Sequence, residues 1–266
     1  MRSTSNPAFR NLPQGGFGGG YAGFQTQPQA NMPGYGGYQA PPTTGERPMT
    51  VDDVVTKTAL TLVVALATGI ITAVAVLGGA ISPYPPMIIG MIVGLVLSLI
   101  IIFKQTANPG MVLAYSAAEG VFLGAITGVF EAFVPGIAFQ AILGTALVFI
   151  VMLVVYKTGA VRVTPKLTKW IIGATVAAAG LMLINLITSL FGLNMLRDGG
   201  TMAIIFSIIV IGIAAFNFLL DFDMADQMIR NGMPAKFAWL AAFGLMTTLV
   251  WLYLEILRLL SYFNND

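Results

Sequence analysis

The chain has 266 residues, of which 57% are hydrophobic and 9% charged, with a formal net charge of +2. A soluble domain carries about 25% charged residues, so this composition excludes an ordinary soluble fold and indicates an integral membrane protein. The absence of Cys and His excludes disulfides, thiolate nucleophiles, Cys- or His-ligated metals and the usual near-neutral pH switch. The basic residues are scattered over loops, which gives no footprint for nucleic acid.

Residues 1–48 stand apart. Gln14-Gly-Gly-Phe-Gly-Gly-Gly-Tyr21 and the Gln/Pro/Gly/Tyr-rich sequence after it lack apolar periodicity and predict a disordered tail. The tail has no apolar core of the kind a signal peptide needs. Its interleaved Phe17, Tyr21, Phe24, Tyr35 and Tyr38 suit weak multivalent contacts, and a plain soluble tail is the simpler reading.

Seven apolar stretches follow, near 58–78, 86–103, 111–131, 138–156, 170–191, 202–220 and 237–263. Each is close to the roughly 20 residues that cross a bilayer's hydrocarbon core. Turn signals separate them: Ser82-Pro-Tyr-Pro-Pro86, Asn108-Pro-Gly110, Val134-Pro-Gly136, Arg197-Asp-Gly-Gly200 and Asn231-Gly-Met-Pro234. The runs do not alternate with period two, and backbone groups in hydrocarbon must bond within their own segment, so the spans are predicted to be helices. The expected fold is therefore all-α integral membrane, with residues 49–266 as a seven-helix transmembrane domain.

Lys and Arg set the expected orientation. The tail and the second, fourth and sixth loops hold Arg2, Arg10, Arg47, Lys57, Lys104, Lys157, Arg162, Lys166, Lys169, Arg230 and Lys236. The opposite loops hold only Arg197, which predicts an inside N-terminus and an outside C-terminus. Within the spans, Gly120-xxx-Gly124-xxx-Gly128 and Gly90-xxx-Gly94 have the spacing that lets helix backbones approach closely.

The chemistry rests on a few ionisable groups in or near these spans: Glu119, Asp221, Asp223, Glu255 and Arg258, with Asn185 and Asn217 as polar additions. Glu131 and Asp226 fall at span ends and read as interfacial. An acid near the bilayer centre costs roughly 2.5–3.5 kcal/mol even on lenient insertion scales, so Glu255 calls for a partner. Two readings stand. Arg258, three residues on, lies on the same helical face and can neutralise it. Alternatively, Glu255 pairs with a carboxylate of span six, a dry di-acid site that holds a proton at low pH and gains cation affinity as it ionises. Oxygen ligands of this kind suit hard ions such as Ca²⁺. Asp221-Phe-Asp223-Met-Ala-Asp226 lacks the glycine turn and terminal Glu of an EF-hand, so Asp221 and Glu255 predict a weak, transit-type Ca²⁺ site and no tightly bound cofactor. A solvated helix end is the bland reading of the Asp221, Asp223 and Asp226 cluster. Glu119, beside the glycine face of span three, either lines a polar pathway or bonds a neighbouring hydroxyl while protonated.

Four motifs stand out: Asn6-Pro-Ala-Phe9, Glu119-Gly-Val-Phe-Leu-Gly124, Leu220-Asp-Phe-Asp223 and Trp251-Leu-Tyr-Leu-Glu255. With the seven spans they resemble the Bax inhibitor (transmembrane Bax inhibitor motif) family over roughly 50–266, and more narrowly a bacterial, actinobacterial-type branch of it. The resemblance implies six helices around a central, hydrophobic seventh and a pH-dependent calcium leak gated by a di-acidic pair. The span-six member would be Asp221, or Asp223 if the register slips, and Glu255 would take the place of the family's usual Asp. The chain departs from that pattern at three points. Span two has no acid, only Lys104 and Gln105 at its end, where bacterial relatives carry a Glu that forms a latch with a nearby Arg. Asp221 and Glu255 are 34 residues apart, so a shared site requires residues 222–236 to form something other than two straight helix extensions. Arg258 competes for Glu255.

The expected function is thus a slow Ca²⁺ leak of the plasma membrane, its partners being lipid, Ca²⁺ and H⁺. The rival is a regulatory membrane protein whose tail recruits cytoplasmic partners or a membrane protease. An enzyme is not expected, since no Ser/His/Asp set, HExxH or GxGD motif occurs.

Overall fold

The computed structural model describes residues 47–189, 191 and 199–264. The tail through residue 46, its Asn6-Pro-Ala-Phe9 motif and Arg197 lie outside the described residues.

Among the described residues are seven helices long and apolar enough to cross a membrane: α1 (Val51–Leu77), α2 (Tyr84–Lys104), α3 (Pro109–Phe133), α4 (Ile137–Thr158), α5 (Pro165–Ser189), α6 (Thr201–Arg230) and α7 (Ala238–Phe263). Large apolar side chains such as Ile71, Ile89, Leu147 and Ile184 are more than half exposed on the outer helices. Such a surface is stable only against hydrocarbon. This is a multi-pass membrane protein.

The helix ends follow local chemistry. Thr50 caps α1 in a reciprocal box with Asp53, so the helix begins seven residues before the apolar stretch does. Thr50→Ala is expected to lower the unfolding temperature in detergent, reflecting the about 1 kcal/mol that such a cap contributes. Asn108 accepts from Gly110 N and Met111 N to start α3. Glu131, expected at an interface, closes one helix and opens the next: its carboxylate accepts from Gly136 N at 2.6 Å and Ala138 N at 3.0 Å at the start of α4.

The largest difference from expectation is α6, which continues ten residues past 220 to Arg230. Polar side chains at i and i+4 support that extension: Gln227 donates to Asp223 at 2.6 Å and Arg230 pairs with Asp226 at 2.7 Å. Hydropathy marks where an apolar run stops, which here is not where the helix stops. A 3-10 turn, Ala235–Phe237, then leads into α7.

The seventh helix forms the core. It packs against α1, α3, α4 and α6, while α2 packs chiefly on α3 and α5 on α6. The expected ring of six is therefore four helices around α7 with two outer ones. Ala238, Ala241, Leu245, Leu249, Leu252 and Ile256 form one buried stripe of α7 that meets Phe218 and Phe222 of α6 and Ile137 and Ala141 of α4. Glycines bring α3 close to its neighbours. A Cβ on Gly120 would strike Ala65 of α1, one on Gly124 the backbone of Gly69, and one on Gly90 the Ala118 carbonyl of α3.

Residues 47–50 are bound to the α6–α7 turn. Met49 N donates to Met233 O at 2.8 Å, Ala235 N donates to Arg47 O at 3.0 Å, and Pro48 bridges Pro234. Met49 is buried among core residues. Lys57 donates to the Ala235 carbonyl and stands over the Trp239 ring. Arg47 and Pro48, assigned by composition to the tail, thus belong to the helical body. The Asp53 carboxylate accepts from both Nη atoms of Arg47 at 2.7 Å and raises the guanidinium above its ordinary value.

Candidate functional site

The acid of α7 has its counter-charge on the same helix. Glu255 is 2% exposed, and its Oε1 accepts from Arg258 Nη1 at 2.6 Å. Its second carboxylate oxygen, Oε2, is buried with no hydrogen-bond partner among the described residues. The i, i+3 spacing places both groups on one face of the helix, so one turn of α7 holds both the acid and its counter-charge.

Asp221 lies elsewhere. Thr248 Oγ1 of α7 donates to Asp221 Oδ2 at 2.6 Å. Gly244, one turn earlier, leaves space beside Oδ1, where a Cβ would lie 3.6 Å away. Glu255 is seven residues beyond Thr248, about 10 Å along the axis at 1.5 Å per residue. The reason is the straight extension of α6. Asp221 stands nine residues before the end of α6 and Thr248 ten residues into α7, so these two share a level around the turn. Glu255 does not. In this structure the two acids have separate partners, and the condition for one shared site, a break in residues 222–236 large enough to equalise depth, is not met.

Helical spacing relates the two levels. Thr248 and Glu255 are i and i+7, on the same stripe of α7, and Asp221 of α6 meets that stripe at Thr248. Asp223 and Asp226 turn to other partners: Asp223 accepts from Gln227, and Asp226 accepts from Arg230 and from the Tyr156 hydroxyl at 3.3 Å.

Glu119 belongs to a different interface. Its carboxylate lies against Gly94 of α2, where a Cβ would come within 2.8 Å of Oε1. Gly94 therefore makes room for an acid as well as for close packing. Two hydroxyl pairs tie α3 to α7: Tyr115 with Thr247 at 3.1 Å and Thr127 with Tyr253 at 2.8 Å. Asn217 of α6 donates to Thr175 of α5 at 2.8 Å and to the Ile213 carbonyl, which satisfies it within the bundle.

Reading the acids alone missed Thr248, which positions Asp221, and the hydroxyls of Tyr115 and Thr247. A signal for Thr248 was present: a hydroxyl seven residues before Glu255, on the same helical face. No group of three or more acids gathers closely enough to hold a metal ion among the described residues, so Asp221 with Thr248 and Glu255 with Arg258 are incomplete ligand sets by themselves.

Seven spanning helices, a buried core helix with an acid and a second acid on the adjoining helix define a polytopic membrane protein. The family can then be stated: a family model described as Bax inhibitor 1 like matches residues 6–265, and the chain belongs to that family. A comparison with curated proteins finds no match.

Proposed function

We propose that the protein is a slow, pH-dependent Ca²⁺ leak of the plasma membrane with a cytoplasmic N-terminus, in which Asp221 and Glu255 are successive stations along one α6–α7 seam. The observation that carries this reading is the Thr248–Asp221 hydrogen bond, which puts one acid on the stripe of α7 that holds the other. Hard oxygen donors at two levels suit brief stops by a divalent cation better than a single tight cage does. The Arg258 guanidinium on Glu255 Oε1 supplies a plug, since a resident cation repels an arriving one. Passage then requires Arg258 to leave Glu255. Asp223, near the end of α6, serves as an entry ligand. With no His in the chain, a pH step acts through these carboxylates.

Purified full-length protein in liposomes loaded with a calcium dye tests the reading. Wild type should show a leak that varies between acid and alkaline pH. Asp221→Asn and Glu255→Gln should each lower the flux and flatten its pH profile. Flux that both substitutions leave unchanged would exclude the seam as the path.

A regulatory role without intrinsic flux is the second reading. It is favoured by the binding of residues 47–50 to the α6–α7 turn, which couples the point where the tail joins the bundle to the two acid-bearing helices. Deleting residues 1–46 separates the two: a leak survives the deletion, and recruitment of a cytoplasmic partner or membrane protease does not.

A further inference from the structure

Between α1 and α4 the bundle is incomplete. These two helices make no extensive interface with each other, and a crevice of about 370 Å³ opens between them, with α3 and α7 as its floor. Its walls include Leu66, Ile70, Thr145, Phe149 and Tyr253. Ile70 and Val74 on one lip are 60% and 63% exposed, and Ile142 on the other is 40% exposed. The mouth therefore faces the same surroundings as the outer helix faces, which is hydrocarbon.

We propose that this crevice binds one acyl chain of a bilayer lipid, inserted sideways from the membrane. Three observations select that occupant. Water is excluded because a buried water needs two to four polar partners. The hydrogen-bonding side chains of the lining are Thr127, Thr145 and Tyr253, and all three are already bonded: Thr127 with Tyr253, and Thr145 with the Ala141 carbonyl.

Length is the second. The α1 wall runs from Leu62 to Val74, about 18 Å at 1.5 Å per residue. That length suits an extended segment of a lipid tail entering from the surrounding hydrocarbon, and a helix of a second copy is the rival occupant that the test below would detect.

Position supplies the third. The crevice covers about 18 Å of a hydrocarbon layer about 30 Å thick, at the depth where lipid tails are the surrounding medium. An unfilled slot would leave its walls without dispersion partners on one side, and a chain restores them. The bound chain touches Tyr253, two residues before Glu255, and braces α7 against α1 and α4. The proposal does not depend on the leak.

The test uses full-length protein in phosphatidylcholine nanodiscs containing a small fraction of phosphatidylcholine with a diazirine in mid-chain. After irradiation, adducts are mapped by peptide mass spectrometry. They should concentrate on Phe149, Thr145 and Tyr253, above the level on the outward residues Ile89, Ile92 and Val96 of α2. Ala73→Phe and Ala146→Phe, which fill the slot from opposite lips, should each remove the crevice adducts and leave those on α2. If one variant fails to fold, the other decides. If both fail, the wild-type map alone decides between crevice and outer face. Uniform labelling of crevice and outer face would overturn the proposal, as would cross-links at these positions to a second copy of the chain.

Discussion

Replacing Arg258 with leucine is expected to destabilise the bundle by about 3–5 kcal/mol, the usual cost of leaving one member of a buried ion pair alone. Glu255 is almost fully buried, its Oε2 has no hydrogen-bond partner among the described residues, and the Arg258 contact at 2.6 Å is the interaction that compensates its charge. Water cannot take the place of the guanidinium without entering the core around α7. The double variant Glu255→Leu with Arg258→Leu should recover most of the loss, because removing both charges also removes the need for either. Thermal unfolding of the four proteins in the same detergent gives the coupling directly. Additive losses would show that the pair is not coupled in the folded state. The same set read by calcium flux separates structure from gating. If Arg258 is the plug, Arg258→Gln should raise the leak in whatever folded fraction remains, while Glu255→Gln should lower it.

The second large effect concerns the α1–α3 contact. Gly120→Ala and Gly124→Ala are each expected to cost about 1–3 kcal/mol, the range for forcing a methyl group into a packed core. The figure belongs toward the upper end because the atoms in the way are backbone. A Cβ at position 120 lies 2.9 Å from Ala65 Cα, and one at 124 lies 2.9 Å from Gly69 Cα. Neither can be relieved by a rotamer change, so α1 must move. Gly173→Ala on α5 is the control: nothing lies within 4 Å of the added methyl, and the helix gains from alanine's better propensity. Equal unfolding temperatures for all three variants would contradict the close approach of α1 and α3. Displacing α1 also deforms the α1 wall of the lipid crevice, so Gly124→Ala should weaken acyl-chain labelling at Tyr253, whereas Gly173→Ala should not.

Much of the fold was legible because hydrocarbon is a demanding solvent. A run of some 20 apolar residues bounded by Pro, Gly and Asn has few structures open to it, so the seven spans and their order could be read directly. The glycine spacings of α2 and α3 were readable as close helix packing, although Gly94 also makes room for Glu119. Helix ends were less so. At the start of α1 and the end of α6, polar residues extend the helix through a capping box and through i, i+4 pairs, which hydropathy does not register.

The site was half legible. The cost of burying Glu255 singled it out, and Arg258 three residues on was a visible partner because both lie on one helix. The partner of Asp221 was not visible. It depends on how far α6 continues before the chain turns, a length set by the Asp223–Gln227 and Asp226–Arg230 pairs and by the binding of residues 47–50 to the α6–α7 turn. Sequence by itself determined that this is a seven-helix membrane protein of the Bax inhibitor family type with costly acids in its last two spans. Only the tertiary structure decided that Asp221 meets Thr248 and Glu255 meets Arg258 at separate depths, and that an apolar crevice lies between α1 and α4. The physical reason is that spacing along one helix fixes which residues share a face, whereas depth across two helices depends on where both end and how they pack.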